Sequence, residues 1–150
     1  MVEINNLTAV SIDQDFIKHI VDTVLKGENR EKKEVSLAFV GPRRIKEINR
    51  RYRKKNRVTD VLSFPESEVE MKEFGIGELQ ENKNILGEMV VCLKEVKKNS
   101  RRYKINLETE LARVIIHGVL HLLGYDHEKS EEEKEKMQKK EEYYLSLIKT

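Results

Sequence analysis

Three of the four histidines of this chain lie within or just after its most apolar stretch, as His117, His121 and His127. Residues four apart on an α-helix share one face and lie one turn apart along the axis, so His117 and His121 are expected to point toward a common position. Gly124 is the residue type most able to adopt the left-handed conformation that ends a helix. It would let the chain turn back and bring His127 toward the other two, so the spacing predicts a three-histidine metal site.

Unrelated core histidines are the alternative to a metal site. The residues around His117 and His121 are Val, Ile, Leu and Gly, and none of these side chains can satisfy an imidazole. An unpaired buried polar group costs roughly 1–3 kcal/mol, so two of them on one turn favour a shared metal. Three imidazoles leave one tetrahedral position of zinc open, as in catalytic sites. We therefore predict one Zn²⁺ per chain, although three histidines also suit other transition metals.

The spacing His117-x₃-His121-x₂-Gly124-x₂-His127 also matches the extended zinc motif of the metzincin proteases. In those enzymes a Glu follows the first histidine and acts as the general base, whereas this chain has Gly118 there. Peptidase chemistry by that route is therefore disfavoured. A metal that activates water would still suit hydrolysis of a phosphodiester, with arginine offsetting the charge of the phosphate.

The 150 residues are expected to form one domain, 1–150, acting as a metal-dependent hydrolase. The chain has neither a recognisable signal peptide nor an apolar run of about 18 residues, which predicts a cytoplasmic protein. Its single cysteine, Cys92, is flanked by apolar residues and is expected to be a buried core residue.

Positive charge is concentrated in two stretches although the formal net charge is only +2. Residues 43–57 hold nine Lys or Arg against Glu47, and residues 94–104 hold six against Glu95. Each stretch alone could be a solvated helix face. Together with a hydrolytic type of metal site, they favour a phosphate-rich partner.

Hydrophobic periodicity predicts strands that alternate with helices. Ser11 or Asp13, Asn106 and Ser130 are expected to cap helices, and a further basic helix is expected to begin near Arg43. Residues 66–84 are expected to form an acidic loop that is either mobile or a flap over a site. Strands are expected at 2–4, 34–40, 59–65 and 85–93. This order predicts an α/β or α+β fold: a single mixed sheet of about three to four strands, covered by helices, with a central buried histidine-bearing helix.

Several motifs together resemble the YbeY family of bacterial endoribonucleases, the rRNA maturation factors. They are 117–127 (HGVLHLLGYDH), 49–53 (NRRYR) and 59–65 (TDVLSFP), and 87–90 (GEMV) resembles a further block in which Asp is more usual than Glu88. Asn56 and Val58 stand where Asp and Pro are common in the family. The resemblance implies a zinc-dependent, single-strand-specific endoribonuclease that acts in maturation of the 16S rRNA 3′ end and in ribosome quality control.

The resemblance also implies roles for individual residues. His117, His121 and His127 would bind the metal, with His117 counted as catalytic, and Arg53 would bind or stabilise the scissile phosphate. Because it lies next to His127, and not from the resemblance, Asp126 is expected either to orient an imidazole or to form the turn after Gly124. The implied partners are single-stranded RNA, rRNA and the ribosome or its small subunit, with no membrane and no DNA. The residues predicted to bind RNA are Arg50, Arg51, Arg53, Lys54, Lys55 and Arg57.

Two other functions stay open at the level of the sequence. A zinc peptidase is favoured by the histidine spacing and opposed by Gly118 and by the basic stretches. A non-catalytic ribosome-assembly or RNA-binding protein with a structural zinc is also possible, because no residue is an unambiguous general base.

Overall fold

The computed structural model describes residues 1–66 and 84–148. The predicted loop at 66–84 lies almost wholly outside these residues. The described elements, in chain order, are β1 (Val2–Asn6), α1 (Gln14–Gly27), β2 (Glu34–Phe39), α2 (Pro42–Arg53), β3 (Val61–Pro65), β4 (Ile85–Val91), α3 (Leu93–Tyr103), α4 (Leu107–Leu122) and α5 (Glu131–Leu147).

The four strands form one mixed sheet in the order β1-β2-β4-β3. Neighbouring strands β1, β2 and β4 are parallel, and β3 pairs with β4 in the antiparallel direction at the edge. The expectation of a single mixed sheet covered by helices is therefore confirmed. Parallel neighbours need crossover connections, which α1 supplies between β1 and β2.

Both faces of the sheet are covered, as β4 shows. Met89 and Val91 belong to the larger core, together with residues of α1 and α4, whereas Val90 and Cys92 pack in a second cluster with residues of α2. Cys92 is a free, buried cysteine, as predicted. A strand buried on both faces carries a nearly continuous apolar run, which is why 85–93 shows no clear alternation in the sequence.

Helix α4 is the central histidine-bearing helix, and it packs against α1, α3, α5 and the sheet. Its approach to the sheet is close at Gly118. A Cβ atom at Gly118 would lie 2.2 Å from Met89 Cε, and the Gly118 carbonyl accepts a hydrogen bond from Ser63 Oγ at 3.1 Å. Position 118 therefore faces the sheet, between β3 and β4.

The helix caps follow the sequence closely. Asp13, rather than Ser11, caps α1 by accepting from Phe16 N at 3.1 Å. Asn106 caps α4 and Ser130 caps α5 in the same way. Three strand boundaries were predicted too wide: β2 ends at Phe39, β3 begins at Val61, and β4 ends at Val91 because Cys92 is already the N-cap of α3. None of the helices in the described ranges is long and apolar enough to cross a membrane.

Candidate metal centre and the cleft around it

The three predicted metal ligands come together at the end of α4. The ring centroids of His117, His121 and His127 are 4.7 to 5.2 Å apart, and one nitrogen from each ring lies within 4.8 Å of the others. His127 Nδ1 is 3.2 Å from His121 Nε2. Zn–N bonds of 2.0–2.1 Å in a tetrahedral site separate two nitrogens by about 3.4 Å, so the donor set fits a zinc-sized transition metal.

A short reversal of the chain places His127. Gly124 has a φ of +101° and donates from its backbone N to His121 O at 3.1 Å, while Tyr125 N donates to Leu120 O at 3.1 Å. These two bonds form a Schellman motif, the turn that glycine favours after a helix. Asp126 Oδ1 then accepts from Glu128 N at 2.9 Å. The predicted chain reversal at Gly124 is confirmed, and the Asp126 carboxylate lies in the turn.

His121 is the imidazole whose titration the site changes most clearly. Burial lowers its pKa, and the neighbouring His117 and His127 lower it further, while the Asp126 carboxylate acts in the opposite direction. A lowered pKa keeps the ring neutral near pH 7, and a neutral imidazole is the form that binds a metal. Asp126 thus influences His121 through its charge, and a role in orienting an imidazole stays a prediction.

Glu141 on α5 supports the first histidine, and the sequence analysis did not identify it. Its Oε1 lies 2.5 Å from His117 Nδ1. A carboxylate on one ring nitrogen fixes the tautomer and leaves the lone pair of the other, Nε2, for a metal. The sequence could have indicated Glu141 by its position four residues after Met137, which places it on the buried face of α5.

The histidines open into a cleft of about 620 Å³. Of the residues predicted to bind RNA, Arg53, Lys55 and Arg57 line this cleft, together with Asp60 and Glu141. Arg50 and Arg51 lie on the exposed side of α2, and Lys54 is the exposed, left-handed C-cap of that helix. Three of the six residues predicted to bind RNA thus line the cleft, and the other three lie outside it.

Arg53 is held against the edge strand of the sheet. Its Nη2 donates to Ser63 O at 2.8 Å, and its guanidinium carbon lies 4.5 Å from the centre of the Phe64 ring. These contacts immobilise a long side chain that otherwise has much rotamer freedom. The last residue of α2 is thereby fixed in the wall of the cleft that contains the histidines.

Arg113 is a further cation in the cleft, and the sequence analysis also missed it. It lies four residues before His117 on α4, so it shares the face of that helix with His117 and His121. Its Nε is 3.2 Å from Oε1 of Glu110, whose side chain is only 2% exposed. The pKa of Glu110 is raised, because burial outweighs the opposing charge of Arg113. The spacing of four residues between Arg113 and His117 could have indicated this cation from the sequence.

Comparison with known proteins identifies the family. The sequence profile described as "Endoribonuclease YbeY" matches residues 3–149. The chain belongs to the YbeY endoribonuclease family. It is 40% identical to the endoribonuclease YbeY of Persephonella marina over 127 residues, which cover 85% of this chain and 78% of that protein. It is 35% identical to the Chlorobium luteolum YbeY over 146 residues, covering 97% and 96% of the two chains.

A solved structure shows the same fold as this YbeY-family chain. The solution structure of TM1509 from Thermotoga maritima superposes with a TM-score of 0.67 at 30% sequence identity, and the match covers 99% of this chain and 89% of that one. The resemblance to the YbeY family, first seen in short motifs, is therefore confirmed over nearly the whole chain.

Gly118, which stands where the metzincin motif has Glu, is closely packed in this YbeY-family chain. A Glu at position 118 would have to enter the space that Met89 Cε occupies, because even a Cβ there approaches it to 2.2 Å. Replacing Gly118 with the protease residue would therefore disturb the packing of α4 on the sheet before it could supply a base.

Glu88, in the sequence block 87–90 (GEMV), is a buried carboxyl group. It is 4% exposed, and its Oε2 has no hydrogen-bond partner in the described part of the chain. It pairs with Phe64 across the sheet and, by strand alternation, faces the same side as Val90. Burial raises its pKa to about 7.

Proposed function

We propose that the chain is a zinc-dependent endoribonuclease that hydrolyses phosphodiester bonds of single-stranded RNA. The observation that carries this proposal is the presence of three convergent histidines and several cationic side chains in one cleft. The family supports the general activity, since the matching relatives are named endoribonucleases. We place the substrate in rRNA, at the 3′ end of the 16S rRNA in the small ribosomal subunit, with a further role in ribosome quality control.

Each residue near the metal has a separate task in this proposal. His117, His121 and His127 hold the ion, which supplies Lewis-acid chemistry and an activated water when bound. Glu141 keeps His117 in the tautomer that can bind a metal. Arg53, fixed on β3, offsets the charge that develops on the scissile phosphate, because an immobilised donor needs little reorganisation during the reaction.

The other cations of the cleft hold the RNA on either side of the scissile bond. Lys55, Arg57 and Arg113 would neutralise neighbouring phosphates. The exposed Arg50, Arg51 and Lys54 would extend the contact outside the cleft, as would the basic residues 94–104 on and after α3. This arrangement binds the backbone rather than the base edges, so it favours structure-dependent recognition over sequence-dependent recognition.

A peptidase has less support. Gly118 stands where peptidase chemistry requires a base, and a side chain there would have to displace Met89 Cε. The cleft lining holds four Lys or Arg side chains against Asp60, Glu128 and Glu141, and these cations suit a polyanion better than a peptide. A non-catalytic RNA-binding protein would use the same cations, so turnover has to be measured directly.

The test compares RNA cleavage by the native chain with that of His117→Ala and Arg53→Glu. Lys18→Glu on α1 is the matched charge-reversal control, since Lys18 is exposed and outside the cleft lining. We expect the native chain to cleave single-stranded RNA and to cleave duplex RNA and DNA little. His117→Ala and Arg53→Glu should show no turnover, whereas Lys18→Glu should keep the native activity. Cleavage that survives loss of His117 would refute the proposal. Equal cleavage of a denatured protein would favour the peptidase, and RNA binding without turnover would favour the assembly protein.

A further inference from the structure

The largely buried carboxylate of Glu28 joins three parts of the fold next to the predicted metal centre. Glu28 follows α1 directly, and its side chain is 10% exposed. Its Oε1 accepts from Tyr125 Oη at 2.6 Å, while its Oε2 accepts from Lys140 Nζ at 3.1 Å and from Tyr144 Oη. Burial alone would raise the pKa of Glu28, but the hydrogen bonds from Tyr125, Tyr144 and Lys140 outweigh it and the pKa is lowered. The group is therefore a carboxylate at neutral pH.

Two of these three partners, Tyr125 and Lys140, lie close in sequence to a predicted metal ligand or to a residue that contacts one. Tyr125 lies in the turn after α4, two residues before His127. Lys140 on α5 precedes Glu141, the residue that contacts His117. The end of α1 is also packed tightly against α5, because a Cβ at Gly27 would lie 2.4 Å from the Tyr144 ring. Glu28 thus fixes α1 to both the turn and α5.

The bond to Glu28 adds a long-range contact to the turn. The Schellman motif and the Asp126 hydrogen bond set the local conformation of residues 124–128, but both are made within the turn or to the end of α4. The hydrogen bond from Tyr125 Oη ties the turn to the end of α1, across 97 residues of sequence. The Tyr125 ring also packs against the main core and lies 5.8 Å from Lys136 Nζ of α5. A turn with fewer long-range contacts would have to be ordered further when its histidine binds a metal, and this ordering would weaken affinity.

We propose that Glu28 is a positioning residue of the metal centre, acting through Tyr125 to hold His127 in place for the ion. The inference rests on the proposed metal site and does not depend on which substrate the chain cleaves. It gives Glu28 a task within the centre although it lies outside the cleft that the histidines line.

The two tyrosines provide a matched pair of variants. Tyr125→Phe and Tyr144→Phe each remove one hydroxyl group from the same carboxylate, but only Tyr125 belongs to the turn that carries His127. Tyr144 is buried to 1% exposure, so packing keeps its ring in place without the hydroxyl. A purely structural network would make the two variants equivalent toward the metal.

The experiment measures Co²⁺ and Zn²⁺ affinity by chelator competition, the visible absorption of bound Co²⁺, and the thermal unfolding of the metal-free protein. We expect Tyr125→Phe to weaken metal affinity about 10-fold and to alter the Co²⁺ spectrum, within the range seen when groups that orient ligands are removed. Tyr144→Phe should change metal affinity less than about threefold. The two variants should lose similar amounts of thermal stability when the protein is free of metal.

Two results would overturn the inference. One is a Tyr125→Phe affinity within about twofold of the native chain, and the other is an equal weakening by both variants. A native chain that binds no metal would overturn the metal site and the inference together. A chain that binds metal with the predicted difference between variants, but cleaves no RNA, would support the inference and refute the proposed activity.

Discussion

Replacing Glu88 with Gln should change how the stability of the protein depends on pH. Burial raises the pKa of Glu88 from the ordinary value of 4.5 to about 7, so the folded state prefers the protonated carboxyl. The difference corresponds to about 3 kcal/mol at 1.36 kcal/mol per pH unit. This stability is present below the unfolded pKa and is lost as the pH rises through the folded pKa, because the folded state then holds a proton that the unfolded state has released.

The magnitude can be worked out for two convenient pH values. Between pH 5 and pH 8 the native chain should lose about 2.5 kcal/mol of unfolding free energy relative to Glu88→Gln, because Gln does not titrate. Any constant effect of the amide on packing cancels in the difference between the two pH values. The titration of the histidines also cancels, since both chains contain them.

Urea unfolding of both metal-free proteins at pH 5 and pH 8 measures this quantity. Unfolding free energies that change in parallel for the two chains, to within about 0.5 kcal/mol, would show that Glu88 is not a destabilised carboxylate at neutral pH. The burial and the missing partner of its Oε2 would then have to be explained differently.

Three further predictions concern the centre and its cleft. Glu141→Gln should weaken Zn²⁺ binding by about 10- to 100-fold, which chelator competition would detect, and unchanged affinity would contradict the tautomer argument. Gly118→Ala should cost about 1–3 kcal/mol of unfolding free energy, whereas Gly41→Ala, with nothing within 4 Å of the new Cβ, should cost much less; equal losses in urea unfolding would refute the packing argument. Arg113→Ala should raise KM for RNA more than it lowers kcat and should reduce the salt-dependence slope of RNA binding by about 0.7, and an unchanged slope would remove it from the RNA path.

Short-range rules account for the parts of the fold that the sequence predicted correctly. Asn106 and Ser130 cap their helices because a cap acts over three residues, and Gly124 ends α4 because the left-handed conformation is a property of one residue. The strand boundary at Val91 was missed because Cys92 and Leu93 are apolar and continue the pattern of a buried strand although α3 has begun.

The amino-acid sequence by itself predicted the convergence of three histidines and the concentration of positive charge in two stretches. His117 and His121 converge because the helical period places them on one face, and the turn at Gly124 brings His127 back within six residues. The tertiary structure decided what surrounds them. Glu141 lies 24 residues from His117, and Glu28 lies 97 residues from Tyr125, so only the packing of α1 and α5 against α4 brings these carboxylates to the centre. Local periodicity acts over one or two turns, whereas contacts at such separations depend on how whole helices dock.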